Sequence, residues 1–259
     1  MITWNGFSLN NGGSTLIPKD EWGPGPRPHP IPDWVKEMPI GNFRFEFTAE
    51  QSYNDLTGYW AGDDEDPQGG WSHVSGYTYD FYWPQYNNLQ NVPDGTKIIG
   101  ANLSGIQKIE MGTMEQTDGL VEIDNFYGPD LVTIPGFVRH CDDLSSVYGD
   151  FHNVTGFFEA FRDTNLSAIP AIDFSNAKDM NRCFMENNIQ WIRGIKAPNL
   201  ELCSETFEAN PVTAGIERQY SLWSGTPAGT GSYTHDACFR YCENDPYFQV
   251  LAENDPSWV

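Results

Sequence analysis

The chain has 259 residues, with 14 Lys and Arg against 36 Asp and Glu, a formal charge of −22, 39% hydrophobic and 14% aromatic residues. That length buries a substantial core, and the 9 Trp, 12 Tyr and 16 Phe supply bulky material for it, so wholesale disorder is excluded despite the charge. The acidity repels phosphate and anionic lipid, and no Lys/Arg cluster in the sequence offsets it, which argues against nucleic acid as a partner and against membrane insertion.

Met1-Ile2-Thr3-Trp4-Asn5-Gly6 precedes neither an early Lys or Arg nor an apolar run, so no signal peptide is expected. Residues 1–40 read as an extended Pro-rich N-terminal arm and attachment segment, because Pro18, Pro24, Pro26, Pro28, Pro30, Pro32 and Pro39 remove backbone donors. Residues 41–95 read as a small β-rich cap unit. Phe43-Arg44-Phe45-Glu46-Phe47 alternates strictly, as do Tyr77, Tyr79, Phe81 and Trp83 with their polar neighbours. Between these strands, Gly62-Asp63-Asp64-Glu65-Asp66-Pro67 is an acidic loop without the spacing of a calcium-binding hand.

Residues 96–259 carry a repeat. Val138, Phe161, Phe184 and Phe207 stand 23 residues apart, and Phe239 is the last anchor, 32 beyond Phe207. Seven before these anchors stand Leu131, Val154, Ala177 and Leu200, and four before stand Ile134, Phe157, Met180 and Cys203, so each unit shows the apolar spacing of one helix face. Asp130, Asn153, Asn176 and Asn199 fall eight before the anchors and read as helix N-caps. A second apolar pair follows each anchor, as in Leu166/Ile169 and Ile189/Ile192, and reads as a strand. The fold class these units predict is an α/β solenoid of short helix-plus-strand repeats with period 23 and an atypical C-terminal cap. The extra length of the last copy is placed in a loop within 221–231.

Catalytic signatures are missing from the sequence. No His-Glu-x-x-His, phosphate loop or recognised Cys–His pair occurs, and Cys141, Cys183, Cys203, Cys238 and Cys242 show no metal-ligand spacing, so neither an enzyme, a cofactor nor a metal is expected. Buried reduced thiols and structural histidines are the expectation. Asn102, Asn153 and Asn165 match the glycosylation pattern by chance. Trp191, Tyr220 and Trp223 are the candidate ligand-binding rings, because flat aromatics stack on sugars and anchor protein interfaces. The alternative is that these rings seal the edge of the repeats.

The unit that runs from Leu166 through Ile169-Pro170-Ala171-Ile172-Asp173-Phe174-Ser175 to Met180 and Phe184 resembles the BspA-like leucine-rich-repeat family, whose units read roughly L-x-x-I/V-P-x-I/L-D-x-S-x-V-x-x-M-x-x-M-F. The match decays elsewhere between 131 and 207, where Cys203 replaces the methionine and Val138 the phenylalanine. The order of strands, repeats and closing segment is similar to virion proteins of phages and prophages of gut bacteria. That resemblance implies a leucine-rich-repeat-like solenoid in a phage structural protein, a tail or head fibre or adhesin component located on the virion. Its implied partners are other virion proteins, reached through the N-terminal arm, and a host cell-surface protein or glycan. Fibres are commonly symmetric, which makes a homo-oligomer one option. A purely architectural virion assembly protein and a bacterial surface or protein-interaction module are the alternative readings.

Overall fold

A computed structural model describes residues 30–50, 57–60, 71–82, 87–90, 92–109, 114–231 and 234–259. The acidic loop 62–67, Trp83 and positions 1–29 of the arm lie outside the described residues. The described end of the arm is not extended: α1 (Asp33–Lys36) is one helical turn with Val35 buried. Trp34 lies against the backbone of Gly100, where a Cβ would meet its ring at 2.6 Å. Asn102 ties the turn down by donating from Nδ2 to Lys36 O at 3.1 Å and to Met38 O at 2.6 Å.

Strands β1 (Asn42–Glu46), β2 (Thr57–Trp60), β3 (Trp71–Ser75), β4 (Thr78–Tyr82), β5 (Asn87–Gln90), β6 (Thr96–Asn102), β7 (Leu120–Tyr127) and β8 (Ser146–Asp150) follow. Six of them form one mixed sheet in the order β3-β4-β1-β6-β7-β8, and β2 pairs with β5 separately. β1 is antiparallel to both β4 and β6, whereas β6, β7 and β8 run parallel. β1 and β6, on either side of residue 95, are thus hydrogen-bonded neighbours. Phe43 and Phe45 alternate with polar residues along β1 and bury their rings together with Tyr79, Phe81 and Ile98.

The helix-plus-strand solenoid expected from the sequence is not formed. A single mixed six-stranded sheet, not curled into a solenoid, carries the regular structure. The expected helices of the repeats are runs of turns. The longer described helices, α2 (Ile216–Trp223) and α4 (Tyr247–Asn254), lie near the C-terminus, with the short α3 (Pro227–Thr230) between them. α2 and α3 occupy the stretch read as an inserted loop.

The reason is in the backbone. Positive φ angles recur two residues before and two after each anchor: Gly136 and His140, Glu159 and Asp163, Arg182 and Glu186, Glu205 and Ala209, Ala237 and Tyr241. A right-handed helix cannot run through a left-handed residue. The amide groups that would close helical turns instead reach the next unit. Phe157, Glu159, Phe161 and Asp163 donate to the carbonyls of Asp179, Asn181, Cys183 and Met185, and Met180, Arg182, Phe184 and Glu186 repeat this onto Leu202, Ser204, Thr206 and Glu208. Hydrogen bonds between units replace those within a helix. The 3–4 apolar spacing survives because turns, like helices, point such residues to one side: Val154, Phe157, Ala160 and Phe161 are all fully buried.

Anchor rings stack one on the next at 5.6 Å for Phe161 and Phe184, 5.7 Å for Phe184 and Phe207 and 5.8 Å for Phe207 and Phe239, all within 12° of parallel. Val138 is buried in the same column. At the C-terminus a 3-10 turn (Pro256–Trp258) covers the last unit, with Ala237 N–H donating to Ser257 O and Phe239 N–H to Trp258 O, each at 2.8 Å.

Candidate functional site

The four residues read as helix N-caps have no helix to cap. Asp130 Oδ2 accepts from Gly105 N–H at 2.8 Å, Asn153 Nδ2 donates to Pro129 O at 2.6 Å, and Asn176 Nδ2 donates to His152 O at 2.8 Å. These side chains join one unit to the preceding one. Asn199, in the same column, is exposed. The amide and carboxylate groups that favour helix starts satisfy any stray backbone group equally well.

A second inter-unit joint went unread in the sequence. Three residues after the anchors, Cys141 Sγ donates to Met114 O at 2.9 Å, Asn187 Nδ2 to Phe161 O at 2.7 Å, Asn210 Nδ2 to Phe184 O at 2.7 Å, and Cys242 Sγ to Phe207 O at 3.1 Å. Burial pushes the Cys141 and Cys242 thiols up to about 12 and raises those of Cys183 and Cys238 well above the ordinary value. Such thiols are hydrogen-bonding core atoms rather than nucleophiles. His235 is equally structural: its Nδ1 lies 2.8 Å from Ala228 O, its Nε2 2.8 Å from Ser257 Oγ, and its ring stacks on Trp258 at 4.5 Å.

Charged residues form a ladder along the turns. Arg139 donates to Glu115 and Glu159, both at 2.5 Å; Arg162 donates to Glu159 and Glu186, both at 3.0 Å. Arg182 bonds Glu205 and reaches Glu159 at 3.5 Å, while Arg240 donates to Glu205 at 3.2 Å and Glu208 at 2.6 Å. Burial alone raises the Glu159 carboxyl, but the Arg139 and Arg162 guanidinium groups overcome it and hold Glu159 below its usual value. Each of these guanidinium groups meets at least one glutamate, while Glu208 Oε2 is buried without a hydrogen-bond partner.

The outer face of β8 and the extended segments after it is different. Beyond β8, parallel bridges link Ala168 to Trp191 and Trp191 to Ala214. Val147 and Ile192 are buried, so the alternation of extended backbone turns Ser146 and Tyr148, and likewise Trp191 and Arg193, to the opposite face. Trp191 is 43% exposed between the small side chains of Ala168 and Ala214. Arg193 is half-buried there, with Nη2 donating to Pro170 O, and burial lowers its pKa. Burial also raises the Tyr148 hydroxyl, an effect that Asp124 strengthens and Arg193 opposes, which places both charges beside that ring.

The three candidate rings therefore separate. Trp191 faces outward. Trp223 does not: it is 0% exposed, stacks on Phe207 at 5.8 Å, and its Nε1 donates to Ile195 O at 3.0 Å, so it is a core residue and not a ligand surface. Helix α2 turns it inward where a loop was expected. Tyr220 is half-buried, edge-on to Trp258 at 5.3 Å with its hydroxyl donating to Asp255 at 3.1 Å, and it secures the C-terminal closure. Tyr148 and Arg193 were missed by the sequence reading. The Trp191-Ile192-Arg193 alternation was the signal available for Arg193.

No match to the chain exists among protein-family models, curated proteins or solved structures. Among the described residues, no group of three or more His, Cys, Asp or Glu is placed to hold a metal ion, and no helix is long and apolar enough to cross a membrane.

Proposed function

We propose that the chain is a non-enzymatic phage virion component, part of a tail or head fibre, that presents the Trp191 face to the host surface and joins other virion proteins through its N-terminal arm. The observation that carries the recognition half of this reading is the exposed indole of Trp191, set between Ala168 and Ala214 with Tyr148 and Arg193 on the same outer face. The exposed part of an indole is a flat apolar surface of the kind on which a sugar ring or an apolar side chain stacks. The virion half is supported by the resemblance of residues 166–184 to repeats found in phage proteins. The experiment has two arms. Mass spectrometry of purified particles is expected to recover this chain, and the isolated protein is expected to compete with those particles for adsorption to host cells. Competition should weaken on Trp191→Ala. Absence of the chain from particles, or competition unaffected by that substitution, sinks the corresponding half.

A further inference from the structure

The stacking sets the residue one before an anchor against the residue four before the preceding anchor, and Thr206 shows the contact. It stands one before Phe207, and its Oγ1 lies 2.8 Å from the carbonyl oxygen of Met180, four before Phe184. The following junction keeps the same register. Met180 N–H donates to Leu202 O at 2.8 Å and Phe184 N–H to Thr206 O at 2.9 Å; one unit on, Cys203 N–H donates to Thr234 O at 2.7 Å and Phe207 N–H to Cys238 O at 2.8 Å. Cys203 and Cys238 therefore hold the places of Met180 and Thr206. Both are fully buried. Burial first, and then the Cys203 thiol beside it, raise the Cys238 thiol well above the ordinary value.

Earlier junctions match Ile134 with Ala160, Phe157 with Cys183 and Met180 with Thr206 on this diagonal, so the last junction alone sets thiol against thiol. Cys242, also close to Cys238, is committed elsewhere by its bond to Phe207 O at 3.1 Å. The last junction is also the one at the end of the stack, where the outer unit is covered by the 256–258 turn through Ala237 N–H to Ser257 O and Phe239 N–H to Trp258 O. End units of a stack open locally more readily than inner ones. While the closure is shut, burial keeps these thiols unreactive. When it opens, Cys238 meets small solutes with Cys203 directly behind it.

We propose that Cys203 and Cys238 are an oxidisable pair whose disulfide fastens the last unit to the stack, with a small disulfide such as oxidised glutathione as the oxidant. The Cys238 thiol gives its proton to solvent, and the thiolate attacks one sulfur of the oxidant, expelling a first glutathione thiolate that takes up a proton. The Cys203 thiol then loses its proton, and its thiolate attacks the Cys238 sulfur, breaking the mixed disulfide and releasing the second glutathione. Two protein thiols are oxidised to one disulfide while one glutathione disulfide is reduced to two thiols. The bond ties the outer unit to its neighbour and restricts the unfolded chain between residues 203 and 238. It stands independently of the reading of Trp191.

The test is equilibration of the full chain in a glutathione buffer rich in the oxidised form, approached both from the reduced native protein and by refolding from urea. Acid quenching, alkylation in denaturant and peptide mass spectrometry then locate the bond. The expected result from both directions is a Cys203–Cys238 cross-linked peptide, with Cys141, Cys183 and Cys242 alkylated. The oxidised chain is expected to melt about 5 °C or more above the reduced one, a shift that dithiothreitol reverses and that Cys203→Ala abolishes. Linkage on refolding alone overturns the entry of oxidant through the opened closure. Five alkylated thiols by both routes, a bond joining Cys238 to Cys242, or an oxidised chain that melts no higher than the reduced one overturns the pair itself.

Discussion

Arg139 donates to Glu159 at 2.5 Å across the junction between two stacked units, and the Glu159 side chain is only 4% exposed. Arg162 and Arg182 reach the same carboxylate. Removing its charge leaves three guanidinium groups facing a neutral amide, the situation in which breaking a buried pair is most damaging. Glu159→Gln is therefore expected to lower unfolding stability by about 3 kcal/mol, read by urea denaturation. The pH dependence follows from the lowered carboxyl. The stabilisation is complete above the ordinary value of 4.5 and is lost as pH falls through the depressed folded value, so the wild type should lose stability on acidification more steeply than the variant. Parallel acid profiles for the two proteins would contradict the role given to Glu159.

Ala209 is exposed and holds φ at 58°, a conformation that L-residues other than Asn and Asp seldom adopt. Relief of that strain by glycine is worth about 1–2 kcal/mol, partly offset by the greater freedom of glycine in the unfolded chain. Ala209→Gly is expected to raise stability by about 0.5–1 kcal/mol, the reverse of the usual glycine penalty. The converse change Gly136→Ala, at φ 57° two residues before an anchor rather than two after it, should be destabilising. Thermal melts of both variants decide the matter, and a less stable Ala209→Gly protein sinks the strain argument.

These left-handed positions also explain what the sequence revealed and what it concealed. Phe161, Phe184 and Phe207 could be aligned because stacking in register demands one ring type at one spacing. The helices inferred around them failed because Glu159, Arg182 and Glu205 carry no mark of positive φ; only Gly136 in that column hints at it. Asn153 and Asn176 were legible as residues that satisfy backbone groups but not as links to the preceding unit. Trp191 was readable from its place between Ile189 and Ile192, whereas the approach of Arg218 to Gly194 arises only through the fold of α2.

Cys242 and Asn210 occupy equivalent places and both donate to the carbonyl of an earlier anchor. Asn210 also accepts from Ile189 N–H at 3.0 Å, so Asn210→Ala leaves two buried backbone groups without partners and should lower stability by about 2–4 kcal/mol. The buried thiols give an independent readout. Because burial holds Cys141 and Cys242 at about 12, an alkylating reagent at pH 8 is expected to modify them only after unfolding. The linkage sign is opposite to that of Glu159. A raised thiol pKa favours the folded state below the unfolded value of 9.0, and that contribution declines above it, so stability should fall between pH 9 and 12. Rapid labelling of all five cysteines in the native protein would refute this placement.

The C-terminal turn closes an edge. Phe239 N–H donates to Trp258 O at 2.8 Å, and the Trp258 indole lies 5.9 Å from the Phe239 ring and 4.5 Å from His235. Deleting residues 256–259 strips two backbone acceptors and a fully buried indole from the last unit, exposing a row of unpaired N–H groups beside an apolar ring. Such an edge is a template for a second chain. The truncated protein is expected to be destabilised by about 3 kcal/mol or more, the scale of deleting one large buried aromatic, and to self-associate. Light scattering and sedimentation should show concentration-dependent growth absent from the full chain. Restoring the missing strip as a peptide spanning 254–259 should suppress that growth, whereas the same peptide with Trp258→Ala should not. A monomeric truncation with an unchanged melting temperature would show that the last unit needs no cover.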